Sequence, residues 1–261
     1  MKRLKLRQFG FLITILLFAS LASGFLTLKR NLTQSPEQSS TVVVELFTSQ
    51  GCSSCPSADR LLSNIIDEAE EEGTHVFGLS FHVSYWNYLG WKDPYSQEAF
   101  NKRQSAYAYA FNNSNIYTPQ MVVNGQAEFV GSNKTLAQEQ IKKALTRSNS
   151  IQITLEKLEK QSNSLSISYK LNEVLDSHAL HFGLVERELE NYVPRGENRG
   201  LTLKHDNVVR VFKSIGMNQK GVISLNIPDD IDFDKSAVIV YAQDMTSMKV
   251  KGATRASLGQ L

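Results

Sequence analysis

The sequence predicts an α/β domain followed by a small all-β sandwich, and two hydrophobic patterns are the basis of this prediction. In residues 41–148, continuous apolar runs alternate with segments whose apolar residues recur at helical spacing, the pattern of parallel strands covered by helices. In residues 149–261, short segments of alternating polarity follow one another without a clear helix, which is typical of an antiparallel sandwich. We therefore expect two domains that meet near residue 148.

The first domain is expected to begin with a strand, a turn and a helix. Residues 41–49 form a β-branched apolar run in which Glu45 is the only charge, as in a strand buried on both faces. Apolar residues at helical spacing follow over 58–69, and Gly73 supplies a left-handed stop. A second apolar run over 75–83 completes a parallel crossover unit.

The rest of this domain is expected to contain an aromatic-rich insertion and a hairpin. The insertion, residues 84–113, holds both tryptophans of the chain, and Asp93 within it is a favourable N-cap for a helix. Farther on, a short apolar strand is entered through a proline and ends at Asn124 and Gly125, the residue pair preferred in tight hairpin turns. A partner strand and a last helix then complete the predicted domain.

The cysteine content restricts the chemistry. Cys52 and Cys55, in the motif C-S-S-C, are the only two cysteines, so they cannot complete a four-thiolate zinc site. In a strand-to-helix turn, Cys52 would lie at the helix start, where unpaired backbone N–H groups and the helix dipole favour a thiolate. Cys55 would lie one turn into the helix as the resolving thiol. This pattern favours a catalytic redox pair, and a static disulfide is the alternative.

The order of the predicted elements resembles the thioredoxin fold over residues 41–147. The closing motifs that carry this resemblance are Thr118-Pro119, Asn124-Gly125 and Val130-Gly131. The strings ELFTSQGCSSCP, LSFHVSYWNYLGWKDP and RGENRG are similar to those of a secreted bacterial family of unknown function with a thioredoxin-like domain. The resemblance implies that Pro119 is cis, that its loop faces the cysteines, and that Thr118 and Pro119 contact the backbone of a substrate chain.

The sequence also departs from thioredoxin in two places. Ser53 and Ser54 stand between the cysteines, where thioredoxin has Gly-Pro, so the direction of electron transfer is not implied by the resemblance. Glu45 lies seven residues before Cys52, whereas the buried acid of thioredoxin lies six residues before its first cysteine. Because one residue on a strand turns a side chain to the opposite face, Glu45 is only a possible neighbour of the cysteines.

Three further side chains are candidates for contact with the cysteine turn. His82 closes the second predicted strand, at the edge where the cysteines are expected, and it is either a functional neighbour or a hydrogen-bonded structural group. Trp86 and Trp91 follow this edge directly, and they are either packed framework or an apolar lip that binds a substrate chain. Cys52, Cys55 and His82 could also form a three-ligand copper site, which we consider the least favoured interpretation.

A polar segment in the second half has no obvious role in the predicted sandwich. Residues 195–200 read R-G-E-N-R-G, and His205 follows shortly after. The glycines fit turns and the charges fit a solvated or salt-bridged loop, which is the favoured interpretation. A ligand or partner site is the alternative.

The N-terminal sequence indicates export. Four basic residues, Lys2, Arg3, Lys5 and Arg7, precede an uncharged and mostly apolar run over residues 9–28. Residues 1–30 therefore form either a cleaved signal peptide or an anchor in the inner membrane, and residues 31–40 form a polar linker. We expect the remainder to be periplasmic or secreted, since the basic end favours the inside.

These observations favour thiol–disulfide exchange on exported proteins, through Cys52 and Cys55, with an unidentified redox partner and no cofactor. The net charge of +2 indicates no polyanionic partner, which argues against nucleic acid binding. The alternative function is a non-enzymatic binding module, for copper handling or protein docking, in which the cysteines are ligands or structural groups.

Overall fold

The computed structural model describes residues 40–259 and residue 261. The predicted targeting segment, residues 1–30, and the predicted linker up to residue 39 lie outside the described residues. Within the described part of the chain, no helix is long and apolar enough to cross a membrane.

The described residues form three α-helices and thirteen strands. The helices are α1 (Cys55–Glu72), α2 (Glu98–Ala110) and α3 (Lys134–Leu145). The strands of the first half are β1 (Thr41–Thr48), β2 (His75–His82), β3 (Gln120–Val123) and β4 (Ala127–Val130). The strands of the second half are β5 (Ile153–Gln161), β6 (Ser164–Leu171), β7 (His178–Glu186), β8 (Leu189–Tyr192), β9 (Thr202–His205), β10 (Val208–Gly216), β11 (Lys220–Asn226), β12 (Ser236–Asp244) and β13 (Val250–Ser257).

The first strands and α1 form as their sequences predict. β1 pairs with β2 in parallel through the crossover helix α1, and the buried face of α1 carries the predicted apolar residues. α1 ends at Gly73, which has a positive φ of 66°. The hairpin of β3 and β4 is also confirmed, and its turn places both Asn124 and Gly125 at positive φ, the conformation that this residue pair tolerates best.

The predicted division into an α/β thioredoxin-like fold followed by a sandwich is wrong. One mixed sheet of eight strands runs in the order β13-β12-β7-β10-β2-β1-β3-β4 and contains strands from both halves of the chain. The two halves join where β2 runs parallel to β10: Val208 lies beside Ser80, and the Ser80 N–H donates to the Asn207 carbonyl at 2.9 Å.

The second half does not form a separate sandwich because of the residues in β7 and β12. Their apolar residues are continuous rather than alternating, and nearly every residue of both strands is buried. A strand buried on both faces belongs in the interior of a covered sheet, not in a sandwich with one solvated face. A smaller sheet, in the order β11-β6-β5, packs against these strands, and β8 pairs with β9 as a separate hairpin.

α1 and α3 cover one face of β1, β2 and β3, and α2 covers the other face. α2 begins at Glu98 rather than at the predicted Asp93. Asp93 does not cap the helix because its buried carboxylate accepts hydrogen bonds from the cysteine turn and from His82. This carboxylate is therefore part of the framework beneath the cysteines.

Candidate functional site

The cysteine turn connects β1 to α1. Cys52 and Cys55 form a disulfide with 5.5 Å between their Cα atoms, and they are only 1% and 0% exposed. α1 begins at Cys55, with Ser54 as its N-cap, and the Cys55 N–H donates to the Cys52 carbonyl at 3.2 Å. The sequence predicts Cys52 at the helix start and Cys55 one turn into the helix. In the structure the helix starts three residues later: Cys52 lies in the turn before it, and Cys55 occupies the first helical position.

The structure brings Thr118 and Pro119 to the cysteines. The Thr118-Pro119 peptide bond is cis, and the Thr118 carbonyl oxygen lies 3.8 Å from Cys52 Sγ. The Ser54 hydroxyl lies 3.3 Å from the same sulfur. Cys52 is thus the cysteine whose sulfur faces the neighbouring loop and the polar end of the turn.

Both tryptophans lie beside this turn, and both use their indole N–H groups within the protein. Trp86 donates to Thr118 Oγ1 at 2.7 Å, and Trp91 donates to Gln50 Oε1 at 2.9 Å. Both rings are half-buried. Tyr88 stacks on Trp86 and is 77% exposed. The tryptophans therefore fix the loops around Cys52, and Tyr88 is the aromatic ring of this group that solvent reaches most.

Glu45 does not lie with the cysteines. Its neighbours on β1, Val44 and Leu46, face α1, so alternation turns Glu45 to the α2 face. There its carboxylate accepts a bidentate pair of hydrogen bonds from Arg103, at 2.6 and 2.7 Å, and a third from the Tyr107 hydroxyl at 2.6 Å. Glu45 belongs to a buried ion pair that joins β1 to α2.

His82 reaches the cysteine turn through a carboxylate. Its Nδ1 lies 2.7 Å from Asp93 Oδ2, which also accepts the Gln50 backbone N–H at 2.9 Å. Burial lowers the pKa of His82, but the charge of Asp93 and the hydrogen bond to it outweigh burial and raise that pKa. Burial raises the pKa of Asp93, and the His82 charge together with three hydrogen bonds outweighs it and lowers that pKa. His82 and Asp93 thus form a buried ion pair, and its carboxylate holds the backbone N–H of Gln50, two residues before Cys52.

The described residues do not support the copper site sketched from Cys52, Cys55 and His82. The two sulfurs are bonded to each other, and His82 Nδ1 faces Asp93. Between residues 40 and 259, no group of three or more His, Cys, Asp or Glu side chains is arranged to hold a metal ion.

A group of buried polar side chains lies under the first turns of α1. Asp59 is one helical turn beyond Cys55 and is buried on the same face. Its Oδ2 lies 3.5 Å from His205 Nδ1, without hydrogen-bond geometry, and His205 stacks edge-on against His82 at 4.7 Å between ring centroids. The buried atoms of Asp59, His82 and His205 without a hydrogen-bond partner are both Asp59 oxygens, His82 Nε2 and His205 Nδ1.

Asp59 is a residue of this site that was not predicted from the sequence. A detectable signal was present, since Asp59 is the one charged residue among the apolar positions on the buried face of α1. An acid at such a position costs folding free energy unless it is paired or hydrogen-bonded, so its presence there is a signal worth following.

A loop from the second half of the chain holds the cysteine turn. We call residues 193–201, between β8 and β9, the clasp. The Asn198 side-chain amide donates to the carbonyls of Gln50 and Cys52, at 2.9 and 2.8 Å. Glu197 Oε2 accepts from the Ser53 N–H at 2.9 Å and from its hydroxyl at 2.7 Å. The clasp contains the R-G-E-N-R-G segment, which is therefore part of the site and not only a solvated loop.

Two glycines, Gly51 and Gly196, lie where the clasp and the loop that carries Trp86 approach the cysteine turn. A Cβ on Gly51 would lie 3.0 Å from Trp86 Cβ, closer than nearly all Cβ contacts, so this position has no room for a side chain. A Cβ on Gly196 would make only ordinary contact with Gly51 Cα, at 3.8 Å. Gly196 also has a positive φ of 84°, which disfavours other residues. The turn before Cys52 is thus enclosed by two loops that come from distant parts of the sequence.

Comparison with known proteins places this chain in a family. No curated protein sequence matches it. The crystal structure of a protein from Agrobacterium tumefaciens, a structural genomics target, is 26% identical with a TM-score of 0.60, over 84% of this chain and 94% of that one. A domain of the outer membrane lipoprotein Omp28 from Porphyromonas gingivalis is 7% identical with a TM-score of 0.27, over 42% of this chain and 88% of the domain, and this likeness carries no argument. The profile of a family described as "Protein of unknown function (DUF1223)" matches residues 43–243, and the chain therefore belongs to the DUF1223 family.

Proposed function

We propose that this protein carries out thiol–disulfide exchange on other proteins through Cys52 and Cys55. One observation carries the proposal: the disulfide lies in a turn at the start of a helix, with Cys52 Sγ only 3.8 Å from the Thr118 carbonyl of a neighbouring loop. A disulfide that only stabilised the fold would not need a loop at this distance.

The exchange balances as follows. A thiolate of a substrate protein attacks Cys52 Sγ, a bond forms between the two sulfurs, and the Cys52–Cys55 bond breaks. Cys55 leaves as a thiolate and takes up a proton. A second thiolate of the substrate then attacks the substrate sulfur that is bonded to Cys52, which forms the substrate disulfide and releases Cys52 as a thiolate. In this direction the substrate loses two electrons and the pair gains them, and a partner protein that carries a disulfide re-oxidises the pair. The same steps in reverse reduce a substrate disulfide, and a partner protein that carries a dithiol then restores the reduced pair.

Asp59 is suited to handle the proton of Cys55. Cys55 is fully buried, so bulk water does not reach its sulfur directly. Asp59 lies one turn along the same helix face, and neither of its oxygens has a hydrogen-bond partner. A carboxylate oxygen without a hydrogen-bond partner can accept the proton of the Cys55 thiol when the pair is re-oxidised. His205 extends this path toward Gln50, whose Nε2 lies 3.3 Å from His205 Nε2.

Thr118 and Pro119 orient the substrate chain in this proposal. The Thr118 hydroxyl is held by the Trp86 indole at 2.7 Å, so the loop is rigid where a substrate backbone would lie against it. Trp91 acts more remotely, since it fixes Gln50, two residues before Cys52.

The proposal places the protein outside the cytoplasm. The support is the sequence itself, in which basic residues precede the apolar run over 9–28. A disulfide persists in such a compartment and is rare in the cytosol.

One observation favours a second candidate, a binding module in which the disulfide is a static cross-link. Both cysteines are almost completely buried, and Asn198 binds the backbone on either side of Gly51. In this case attack on Cys52 would be blocked in the folded protein.

Trapping of a mixed disulfide distinguishes the two candidates. Cys55→Ser leaves Cys52 as a free thiol with no resolving partner, so incubation with oxidised glutathione or insulin should accumulate a mixed disulfide at Cys52. Cys52→Ser is the matched control and should accumulate far less, because it is the Cys52 sulfur that faces the Thr118 loop, whereas Cys55 lies at the first position of α1. A static cross-link predicts no adduct in either variant and a wild-type reduction potential below about −300 mV.

A further inference from the structure

Glu197 is bound to the cysteine turn by contacts that the exchange steps do not use. Its Oε2 accepts both the backbone N–H and the hydroxyl of Ser53, the residue directly after Cys52. Glu197 itself is exposed, so burial does not oblige it to make these contacts. A fully solvated carboxylate would satisfy itself with water, and its docking on Ser53 indicates that the turn presents an anion-binding position.

The donors of this position are the ones that a thiolate would use. Backbone N–H groups in the turn before a helix lack helical partners and stabilise an anion there. Ser53 follows Cys52 directly, and its N–H is bonded to Glu197 instead. The hydroxyl and the N–H of Ser53 lower the pKa of Glu197, so this group is a carboxylate at neutral pH. A negative charge therefore occupies donors beside the sulfur that becomes a thiolate on reduction.

The other charged groups near the turn do not share this contact. They are Arg195 and Arg199 on the clasp, and Asp59, His205, His82 and Asp93 beneath α1. Asp93 binds the Gln50 N–H on the far side of Gly51 from Cys52 and is neutralised by His82. Glu197 is the carboxylate bonded to Ser53, one of the two residues between the cysteines.

We propose that Glu197 is a positioning residue that makes the Cys52–Cys55 pair a stronger reductant, because its carboxylate takes the Ser53 donors and repels a thiolate on Cys52. A less stable thiolate disfavours the reduced form of the pair, so the disulfide form is retained against weaker reductants. This inference rests on the proposed exchange function. It adds that Glu197 shifts the redox equilibrium of the pair toward the disulfide form.

The test is Glu197→Gln, which keeps an oxygen for the Ser53 contact and removes the charge. The variant and the wild type are equilibrated in glutathione buffers, and the reduced fraction is measured by alkylation and mass spectrometry. One unit charge a few ångströms away in a solvated site changes such an equilibrium by about threefold to tenfold. The variant should be easier to reduce by this factor, which corresponds to about 15–30 mV. The Cys52 thiolate, followed by absorbance at 240 nm, should form at lower pH.

Glu190→Gln is the matched control. Glu190 lies on the same hairpin but bonds to Lys204 at 2.6 Å, so removal of its charge should leave the equilibrium unchanged. Equal potentials in the wild type and Glu197→Gln would overturn the inference, as would an equal shift in both variants or a shift toward harder reduction. Absence of any exchange with glutathione in all three proteins would instead refute the proposed function.

Discussion

Removal of the Asn198 amide should open the cysteine turn to attack. Asn198 is 3% exposed, and its side chain donates to two carbonyls, those of Gln50 and Cys52, at 2.9 and 2.8 Å. Asn198→Ala removes both donors and leaves the backbone of the clasp in place. The disulfide itself is unchanged, so any effect on its reduction reports how the clasp controls access.

The size of the effect follows from the two hydrogen bonds. Each contributes about 1 kcal/mol net, and each carbonyl left unsatisfied in a buried site adds to the loss, for a total of about 2–3 kcal/mol. If a thiol reaches Cys52 only after the clasp opens, opening becomes easier by the same free energy. Because 1.36 kcal/mol corresponds to a factor of ten, reduction should accelerate by about 30–150-fold.

The assay is the rate at which dithiothreitol reduces the disulfide under native conditions, sampled by alkylation and mass spectrometry. Asn207→Ala is the matched control: Asn207 lies between β9 and β10, is also buried, and donates to a backbone carbonyl of β2, that of Gly78 at 2.9 Å, rather than to the cysteine turn. It should lower global stability without accelerating reduction. An unchanged rate in Asn198→Ala would refute the reasoning. Equal acceleration in both variants would show that reduction requires global unfolding.

Two further predictions concern the buried ion pairs. Arg103→Met leaves the Glu45 carboxylate buried and unpaired, so the free energy of unfolding, measured with urea, should fall by about 3–5 kcal/mol, and a loss under 1 kcal/mol would contradict this. The raised pKa of His82 stabilises the fold below its unfolded value of about 6.5, and this contribution is lost as the pH rises through the folded value. Asp93→Asn should therefore reduce the fall in melting temperature above pH 6.5, and an identical pH profile in both proteins would contradict the assignment.

The locally encoded parts of the fold could be predicted from the sequence. β1, α1 and β2 follow from the period of their apolar residues and from Gly73, and the hairpin of β3 and β4 follows from Asn124 and Gly125. Each of these depends on residues close together in the chain. The pairing of β2 with β10 joins Ser80 to Val208, and nothing in either segment specifies its partner. The continuous apolar run of β12 is typical of an interior strand, and it differs from the alternating polarity on which the predicted sandwich was based.

The same distinction applies to the candidate site: residues in a local motif could be predicted, and residues that meet over a long sequence separation could not. Cys52 and Cys55 form a motif in the sequence, and the resemblance predicts that Thr118 lies near them; its carbonyl oxygen is 3.8 Å from Cys52 Sγ. The contact of Asn198 with the cysteine turn spans 146 residues and is made by hydrogen bonds to backbone carbonyls, which leave no periodic pattern. Asp59 was detectable only as a charge on a buried helix face.

Neighbouring residues of the clasp should control two different properties of the disulfide. Asn198 binds carbonyls, which carry no charge in either redox state, so its contacts persist whether the pair is oxidised or reduced, and its removal should change rates more than the equilibrium. Glu197 interacts with a thiolate that exists only after reduction, so its charge should change the equilibrium. A clasp that only covered the turn would not show this separation. One loop of the second half can therefore set both access to Cys52 and the direction in which the pair reacts.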